Sequence, residues 1–338
     1  MKKKINIGII GKNFGIKVIS KSFQKNKDTN VIAFSSLNEP KKEDFNNKNI
    51  IYYPNWKNLI NEKFINAVVI ASPPNVQAEM VEYAIKKNKH IFCEKPFTNS
   101  LSQAKKIIRI LKKKRNIANI VNYLFPEIDS WKLFRKKLKN KKIVDTVKLE
   151  WRIRQKFKKK NWKFNHSKGG AVVYNFACHS VYNLEYLFGN IKILNSRISY
   201  KTPNFPYRIQ AIFYFLSGIK AEMDINLLSK KKPIHFLKVK TKSSNFILIN
   251  KAKNPSDRFD LEVFKQKKKI TKLKAKRTLK NEDFRINPTY NNSLKFSEWI
   301  LNGKKNAPNF HSAARVHYIL NLLVKSSRLK RNIFCYKI

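Results

Sequence analysis

Cysteine is scarce in this chain, acidic residues are few, and long apolar runs are missing. Cys93, Cys178 and Cys335 are the only cysteines. They are odd in number and far apart, with no CxxC pair and no zinc-ligand spacing. That excludes a disulfide framework and implies reduced thiols in a reducing compartment. No apolar stretch reaches the roughly 18 residues that a bilayer span requires. The opening MKKKINIGIIG imitates the basic and apolar parts of a signal peptide, but Lys12 and Asn13 cut the apolar part short. The expectation is a cytoplasmic protein. His166, His179, His311 and His317 fit no metal-ligand pattern, and no serine-hydrolase elbow occurs, so no metal site is expected.

Aspartate and glutamate number 21 against 73 lysines and arginines, a formal net charge of +52. The lysines recur throughout, in KKNK, LKKKR, RKKLKNKK, KFKKK and KQKKK. A nucleic-acid binder concentrates charge on one face, with arginine and aromatic residues nearby. The dispersion points away from a nucleic-acid partner and toward a compositional bias along the chain. A phosphate-bearing cofactor or substrate would gain from the same positive field.

A length of 338 residues suggests two domains, and a hydrophobic content of 42% is ordinary for a globular protein. Strand candidates at 5–11, 31–34, 67–71, 90–93 and 117–121 alternate with helical stretches. One helix opens near Pro73-Pro74, and another follows the capping box Ser100-Leu101-Ser102-Gln103. Ala67-Val68-Val69-Ile70-Ala71 is apolar throughout, as a strand covered on both faces must be. Alternation of this kind predicts an α/β domain with a doubly wound parallel sheet. After about residue 122 the rhythm changes. Residues 144–153 alternate in polarity, and further strands are expected at 209–215, 220–227, 235–241 and 246–250. A helix is expected over 172–187 and a terminal one over 312–329. The second part therefore reads as an α+β domain with a large, open, mostly antiparallel sheet.

GIIGKNFGI at residues 8–16 follows the first strand and looks like a dinucleotide-binding turn with one glycine missing. Gly11 suits the tight turn. Asn13 stands where a second glycine lets the backbone approach pyrophosphate, and Gly15 falls one residue before the third position. Asn tolerates left-handed backbone angles, so the turn is expected to survive. The second strand ends in Phe34-Ser35-Ser36, with no acidic residue to bind the adenosine ribose. Its absence removes repulsion against a 2′-phosphate, which Ser35 or Ser36 could bond and Lys41 or Lys42 could neutralise. NAD and NADP both remain open, and the balance tips toward NADP.

Glu94-Lys95-Pro96 leaves the carboxyl end of a parallel strand, where ligands bind in such sheets. A lysine there can stabilise negative charge developing on an oxygen. In GGAVVYNFACHS at 169–180, an α-helix through Asn175 and His179 would place both on one face. His179 can exchange a proton near neutral pH, whereas Asn175 can orient a hydroxyl but cannot act as a base.

HIFCEKP at 90–96, AVVIASPPNVQAEMVEYAIKKNKHIFCEKP around it, GGAVVYNFACHS, FLSGIKAEMDI at 215–225, IHFLKVKTKSSNFILI at 234–249 and SAARVHYILNLLVKSSRL at 312–329 resemble the Gfo/Idh/MocA oxidoreductases over almost the whole chain. The resemblance implies a Rossmann-type dinucleotide-binding domain (1–122) and a substrate and oligomerisation domain (123–311). It leaves a C-terminal helix and tail (312–338) packing back on the first domain. It implies an NAD(P)-dependent dehydrogenase or reductase acting on a secondary hydroxyl or ketone of a sugar, cyclitol or nucleotide sugar, with a homo-oligomer expected and no membrane partner.

Lys95 and His179 would be catalytic. Gly11, Lys12, Asn13, Phe14, Gly15, Ser35, Ser36, Ser72, Pro73, Glu94 and Lys95 would contact cofactor. Lys95, Tyr123, Arg152, Trp162, Asn175 and His179 would contact substrate. Three departures stand out: Gln77 replaces a common histidine, Asn175 a common aspartate, and Tyr182 a common acid. They keep open a family member that binds cofactor or sugar nucleotide without efficient turnover.

Overall fold

The structure is a computed structural model describing residues 4–39, 49–114, 116–139, 144–156, 161–251, 258–266, 268–274 and 282–336. Lys41 and Lys42 lie outside the described residues. The chain forms two compact units, one drawn from Met1–Leu124 and Asn281–Ala314, the other from Phe125–Lys280 and Arg315–Ile338.

The first unit contains β1 (Ile5–Ile10), β2 (Thr29–Ser35), β3 (Ile51–Tyr53), β4 (Ala67–Ile70), β5 (His90–Cys93) and β6 (Asn119–Val121). A π-helical turn (Gly15–Ser20) leads into α1 (Lys21–Lys25), followed by α2 (Trp56–Asn61), α3 (Pro74–Lys86) and α4 (Leu101–Lys112). The strands lie in the order β3-β2-β1-β4-β5-β6, and every pair is parallel. This is the expected doubly wound sheet. All four residues of β4 are buried, as their uniform apolarity predicts. Strand order reverses between β1 and β4, and in sheets of this kind ligands bind beyond the carboxyl ends of the strands at such a reversal. Ser100 caps α4 by accepting the Gln103 N–H at 3.3 Å.

The second unit begins with a 3-10 turn (Phe125–Glu127), α5 (Asp129–Lys139) and β7 (Val144–Arg152). Another π-helical turn (Val172–Ala177) precedes α6 (Cys178–Phe188). The sheet is completed by β8 (Ile191–Thr202), β9 (Phe205–Phe215), β10 (Lys220–Asn226), β11 (Ile234–Thr241), β12 (Ser244–Asn250), β13 (Asp260–Lys265) and β14 (Lys268–Leu273). Its nine strands run β14-β13-β12-β11-β7-β10-β9-β8-β15, the last being Ile333–Phe334. Only β7 and β10 pair in parallel, so the sheet is mixed and largely antiparallel, in line with expectation.

Two expectations change. The helix over 172–187 is not one α-helix, because its first turn is π-helical. Ala171 enters it at φ +59°, and a Cβ on Gly170 would overlap the Trp162 carbonyl oxygen, so the chain arrives constrained. The chain also divides differently from 123–311 and 312–338. Helix α7 (Ile286–Asn302) joins the first unit, where Phe296 packs edge-on against Phe23 and Phe92 at 6.3 and 5.8 Å. Asn26 of that unit donates to Ser293 and Ser297, each at 3.2 Å. From Arg315 onward, helix α8 (Phe310–Leu329) belongs to the second unit. There Arg315 pairs with Glu185 at 2.9 Å, and β15 extends β8. Buried rings and bidentate charge, not proximity in sequence, decide both assignments.

Candidate active site

In the first unit, Gly11 ends β1 at φ +120°. A Cβ there would stand 2.5 Å from the Ala71 carbonyl oxygen. The Gly11 N–H donates to Ser35 O at 2.8 Å, and Ala71 N–H donates to Ile10 O at 2.8 Å. The turn is therefore pinned between the ends of β2 and β4, and only glycine fits. Asn13 and Phe14 take helical backbone, so the left-handed geometry expected to test Asn13 is needed at Gly11 alone. Lys12 and Asn13 are exposed, while Phe14 is half-buried. At Gly15 a Cβ would meet Ile9 Cγ2 at 3.4 Å, an ordinary contact. A tight glycine turn at the carboxyl end of β1, opening into a helical run, suits a dinucleotide's pyrophosphate.

Ser35 is buried within β2. The Ser36 hydroxyl donates to Asn38 O at 2.5 Å, and the Ser36 carbonyl accepts Tyr52 OH at 2.9 Å. Ser72 is half-buried and Pro73 exposed, immediately before α3.

The Glu94–Pro96 loop leaves β5 at the carboxyl ends of the parallel strands, the end from which the Gly11 turn also leaves β1. Glu94 N–H donates to Ile70 O at 2.9 Å, and Asn122 N–H donates to Cys93 O at 2.8 Å. Lys95 and Glu94 are half-buried. The Asn122 amide donates to Glu94 Oε1 at 2.6 Å and to Thr289 Oγ1 at 3.2 Å, while Asn292 donates to Asn122 Oδ1 at 3.0 Å. Burial pushes the Glu94 carboxyl up to about 7, against the opposing pull of the Asn122 bond and the charges of Lys95 and Arg285. Arg285 is gripped by Asp283 at 2.9 and 2.6 Å, and its guanidinium lies 4.9 Å from the Phe14 ring centre. One cation thus faces both the glycine turn and the Lys95 loop. Tyr123 is buried next to Asn122, its carbonyl 3.4 Å from the Asn292 amide.

In the second unit, His179 is 6% exposed on α6. Its ring lies 4.9 Å from Phe125 and 6.3 Å from Trp151. Trp151 stacks on His235 at 4.1 Å, Phe125 stacks on Trp131 at 5.7 Å, and Phe176 meets Trp151 edge-on at 5.2 Å. The imidazole sits in an aromatic shell. Asn175 is half-buried in the π-helical turn, so the α-helical spacing expected between it and His179 is interrupted.

Tyr182, one turn beyond His179, stacks on Tyr186 at 6.0 Å. Burial, with added repulsion from Tyr186 and Glu127, raises its phenol well above the usual range. Arg152 alternates with Trp151 along β7, faces the opposite side of the sheet and pairs with Glu150 at 3.2 Å. It does not share His179's face. Trp162 is half-buried in a 3-10 turn beneath Gly170. Both π-helical turns fall in the segments that carry candidate residues, a placement such turns often have. Among the described residues, no group of three or more His, Cys, Asp or Glu could hold a metal ion. No described helix is long and apolar enough to cross a membrane.

The sequence did not point to Arg285, to His235 or to the roles of Asn122 and Phe125. Between Asn122 and Phe125, only Tyr123 was expected at the site.

Two family models match. One, described as an oxidoreductase family with an NAD-binding Rossmann fold, covers residues 5–123; the other, a Gfo/Idh/MocA C-terminal domain, covers 131–240. An uncharacterised oxidoreductase of Schizosaccharomyces pombe is 29% identical over 168 residues, 49% of this chain and 45% of that protein. Levoglucosan dehydrogenase of Pseudarthrobacter phenanthrenivorans is 26% identical over 157 residues, 45% of this chain and 40% of that protein. The matched stretch thus spans about half the length of these relatives, or less. A solved levoglucosan dehydrogenase in complex with NADH superimposes with a TM-score of 0.86 at 16% identity, covering 99% of this chain and 100% of that one. At that identity the likeness is one of fold. With both family models matched in order, over well more than half its length, the chain belongs to the Gfo/Idh/MocA family of oxidoreductases.

Proposed function

We propose that the protein is a nicotinamide-dependent dehydrogenase or reductase, acting on a secondary hydroxyl or ketone of a sugar, cyclitol or nucleotide sugar. The observation that carries this reading is the tight Gly11 turn, held at φ +120° against the Ala71 carbonyl at the strand-order reversal, at the same end of the sheet as the Lys95 loop. Levoglucosan dehydrogenase, among the relatives, supports a carbohydrate substrate. When bound, nicotinamide supplies or accepts the hydride. Gly11, Lys12, Asn13 and Phe14 hold the pyrophosphate. In oxidation His179 takes the hydroxyl proton, and in reduction it returns that proton. Lys95 stabilises negative charge developing on oxygen. The rings of Phe125 and Trp151 keep water from the imidazole, and Asn175 orients the substrate.

No carboxylate closes β2 to repel a 2′-phosphate, which favours NADP. Comparing the dissociation constants of NADH and NADPH tests that preference. A second copy of the chain on the open face of the larger sheet gives a homo-oligomer.

Nicotinamide absorbance, followed across aldoses, cyclitols, levoglucosan and nucleotide sugars with each cofactor, tests the reading. Turnover of one class is expected, with His179→Ala retaining cofactor binding and losing about 10²–10⁴-fold in rate. Full turnover in that variant overturns the assignment. Asn175 and Tyr182, standing where the family often has acids, favour a second reading: a member that binds cofactor without efficient turnover. Tight NADH or NADPH binding with no turnover across the whole panel selects it.

A further inference from the structure

Lys95 sits on a loop to whose backbone one buried side chain gives three hydrogen bonds. Gln77 lies on the second turn of α3 and is 1% exposed. Its Nε2 donates to the carbonyls of Glu94 at 2.7 Å, Pro96 at 3.0 Å and Phe97 at 3.0 Å. These acceptors bracket Lys95 on both sides. An amide nitrogen has two hydrogens, so three carbonyls share them, and a hydroxyl or a carboxylate could not serve all three. With acceptors on every side, the network itself decides which end of the amide is nitrogen. The Gln77 Oε1 is buried with no hydrogen bond of its own among the described residues. An unsatisfied buried acceptor costs stability, and the residue is held for its donor end. The loop's other anchor is the Asn122 amide on Glu94 Oε1.

We propose that Gln77 is a positioning residue, gathering three main-chain carbonyls so that the Lys95 ammonium is held where the reacting oxygen binds. The proposal rests on the role given to Lys95 above. Gln77 is buried and neutral, with its amide on the loop's carbonyls, so it acts on geometry and not on charge. A displacement of about 1 Å at a catalytic group can lower turnover about a hundredfold.

Gln77→Met keeps the length and removes the donor. Its expected signature is a fall in kcat of about ten- to a hundredfold, with the NADH dissociation constant within about threefold of wild type. Amide hydrogen exchange in the 93–98 segment, measured with NADH bound, should speed by at least about tenfold. Gln77→His, which returns one ring N–H, should recover part of both losses.

Wild-type kcat and wild-type exchange in Gln77→Met overturn the proposal. So does faster exchange throughout the first unit, for that is general loosening. If Gln77→Met does not fold, Gln77→His decides by the same pair of readouts. Lys95→Met separates this proposal from the one beneath it. Full turnover in Lys95→Met removes the role of Lys95 and, with it, this proposal, whatever the exchange shows. A dead Lys95→Met beside an unchanged Gln77→Met removes the positioning role alone.

Discussion

The first unit holds its proposed functional group, Lys95, by a few directed bonds, and the second holds its own, His179, by ring area. Around Lys95 the contacts are amide donors on identified carbonyl and carboxylate oxygens, from Gln77 and Asn122. Around His179 they are the faces and edges of Phe125 and Trp151, backed by Trp131, Phe176 and His235. Directed bonds fix a position to tenths of an ångström but leave little to share when one is lost. Aromatic packing spreads its energy over many contacts, so a lost ring weakens the whole unit. Small changes near Lys95 should therefore alter rate, and those near His179 should alter stability first.

The largest effects test the two functional groups themselves. Lys95→Met and His179→Ala should each lower turnover by about 10²–10⁴-fold, with NADH binding retained in both. Steady-state rates with fluorescence titration of NADH make the comparison. Loss of NADH binding in His179→Ala, with rate unchanged at saturation, would reverse the roles. Trp151→Ala removes a buried ring from the shell and should cost about 3–5 kcal/mol of stability. Denaturant unfolding measures it, and a cost below about 1 kcal/mol would show that the shell is not where the second unit's stability lies.

The Lys95 loop also predicts a pH dependence. Burial raises the Glu94 carboxyl from its ordinary 4.5 to about 7, so the folded chain holds that proton more tightly than the unfolded one. The contribution is most favourable below the ordinary value and is lost as pH rises through about 7. A displacement of that size amounts to on the order of 3 kcal/mol. Besides Lys95 and Arg285, the groups facing Glu94 are Asn122, whose bond favours the charged form, and the buried thiol of Cys93. Glu94→Gln should flatten the fall in stability between pH 5 and pH 8 by comparison with wild type. Parallel curves for the two proteins would place the titration elsewhere.

How far the sequence could be read follows the same division. Five of the six parallel strands and HIFCEKP were legible because apolar runs and strand-end loops are local features; β3, three residues long, was not. Strand β8 was not, since Asn195, Ser196 and Arg197 break its alternation. Ser196 is nonetheless buried, its hydroxyl donating to Leu323 O at 2.6 Å and its N–H donating to Ser326 Oγ at 3.0 Å, both partners lying on α8. Nor was the return of α7, whose Phe296 finds Phe23 and Phe92 only across the fold. In the site, Gly11 and Lys95 carried local signals. Arg285 carried none, because what makes it notable is a ring at Phe14 and a carboxylate at Glu94, both far from it along the chain.

The smallest predicted effect separates two glycines of one motif. A methyl at position 11 meets the Ala71 carbonyl at 2.5 Å on a backbone that L residues rarely adopt. Gly11→Ala should cost at least about 1–3 kcal/mol and weaken NADH binding. At position 15 the nearest neighbours would be Ile9 Cγ2 at 3.4 Å, Ala71 Cβ at 3.7 Å and a Phe34 ring carbon at 3.9 Å. The residue already lies in a helical run, where alanine is preferred to glycine by about 0.8–1.0 kcal/mol. Gly15→Ala should leave NADH affinity unchanged and shift stability by less than about 1 kcal/mol, toward the more stable side. Thermal melts with NADH titration of both variants check the pair. A Gly15→Ala protein that loses cofactor would mean that ligand, and not the helix packing on β1, requires the second glycine.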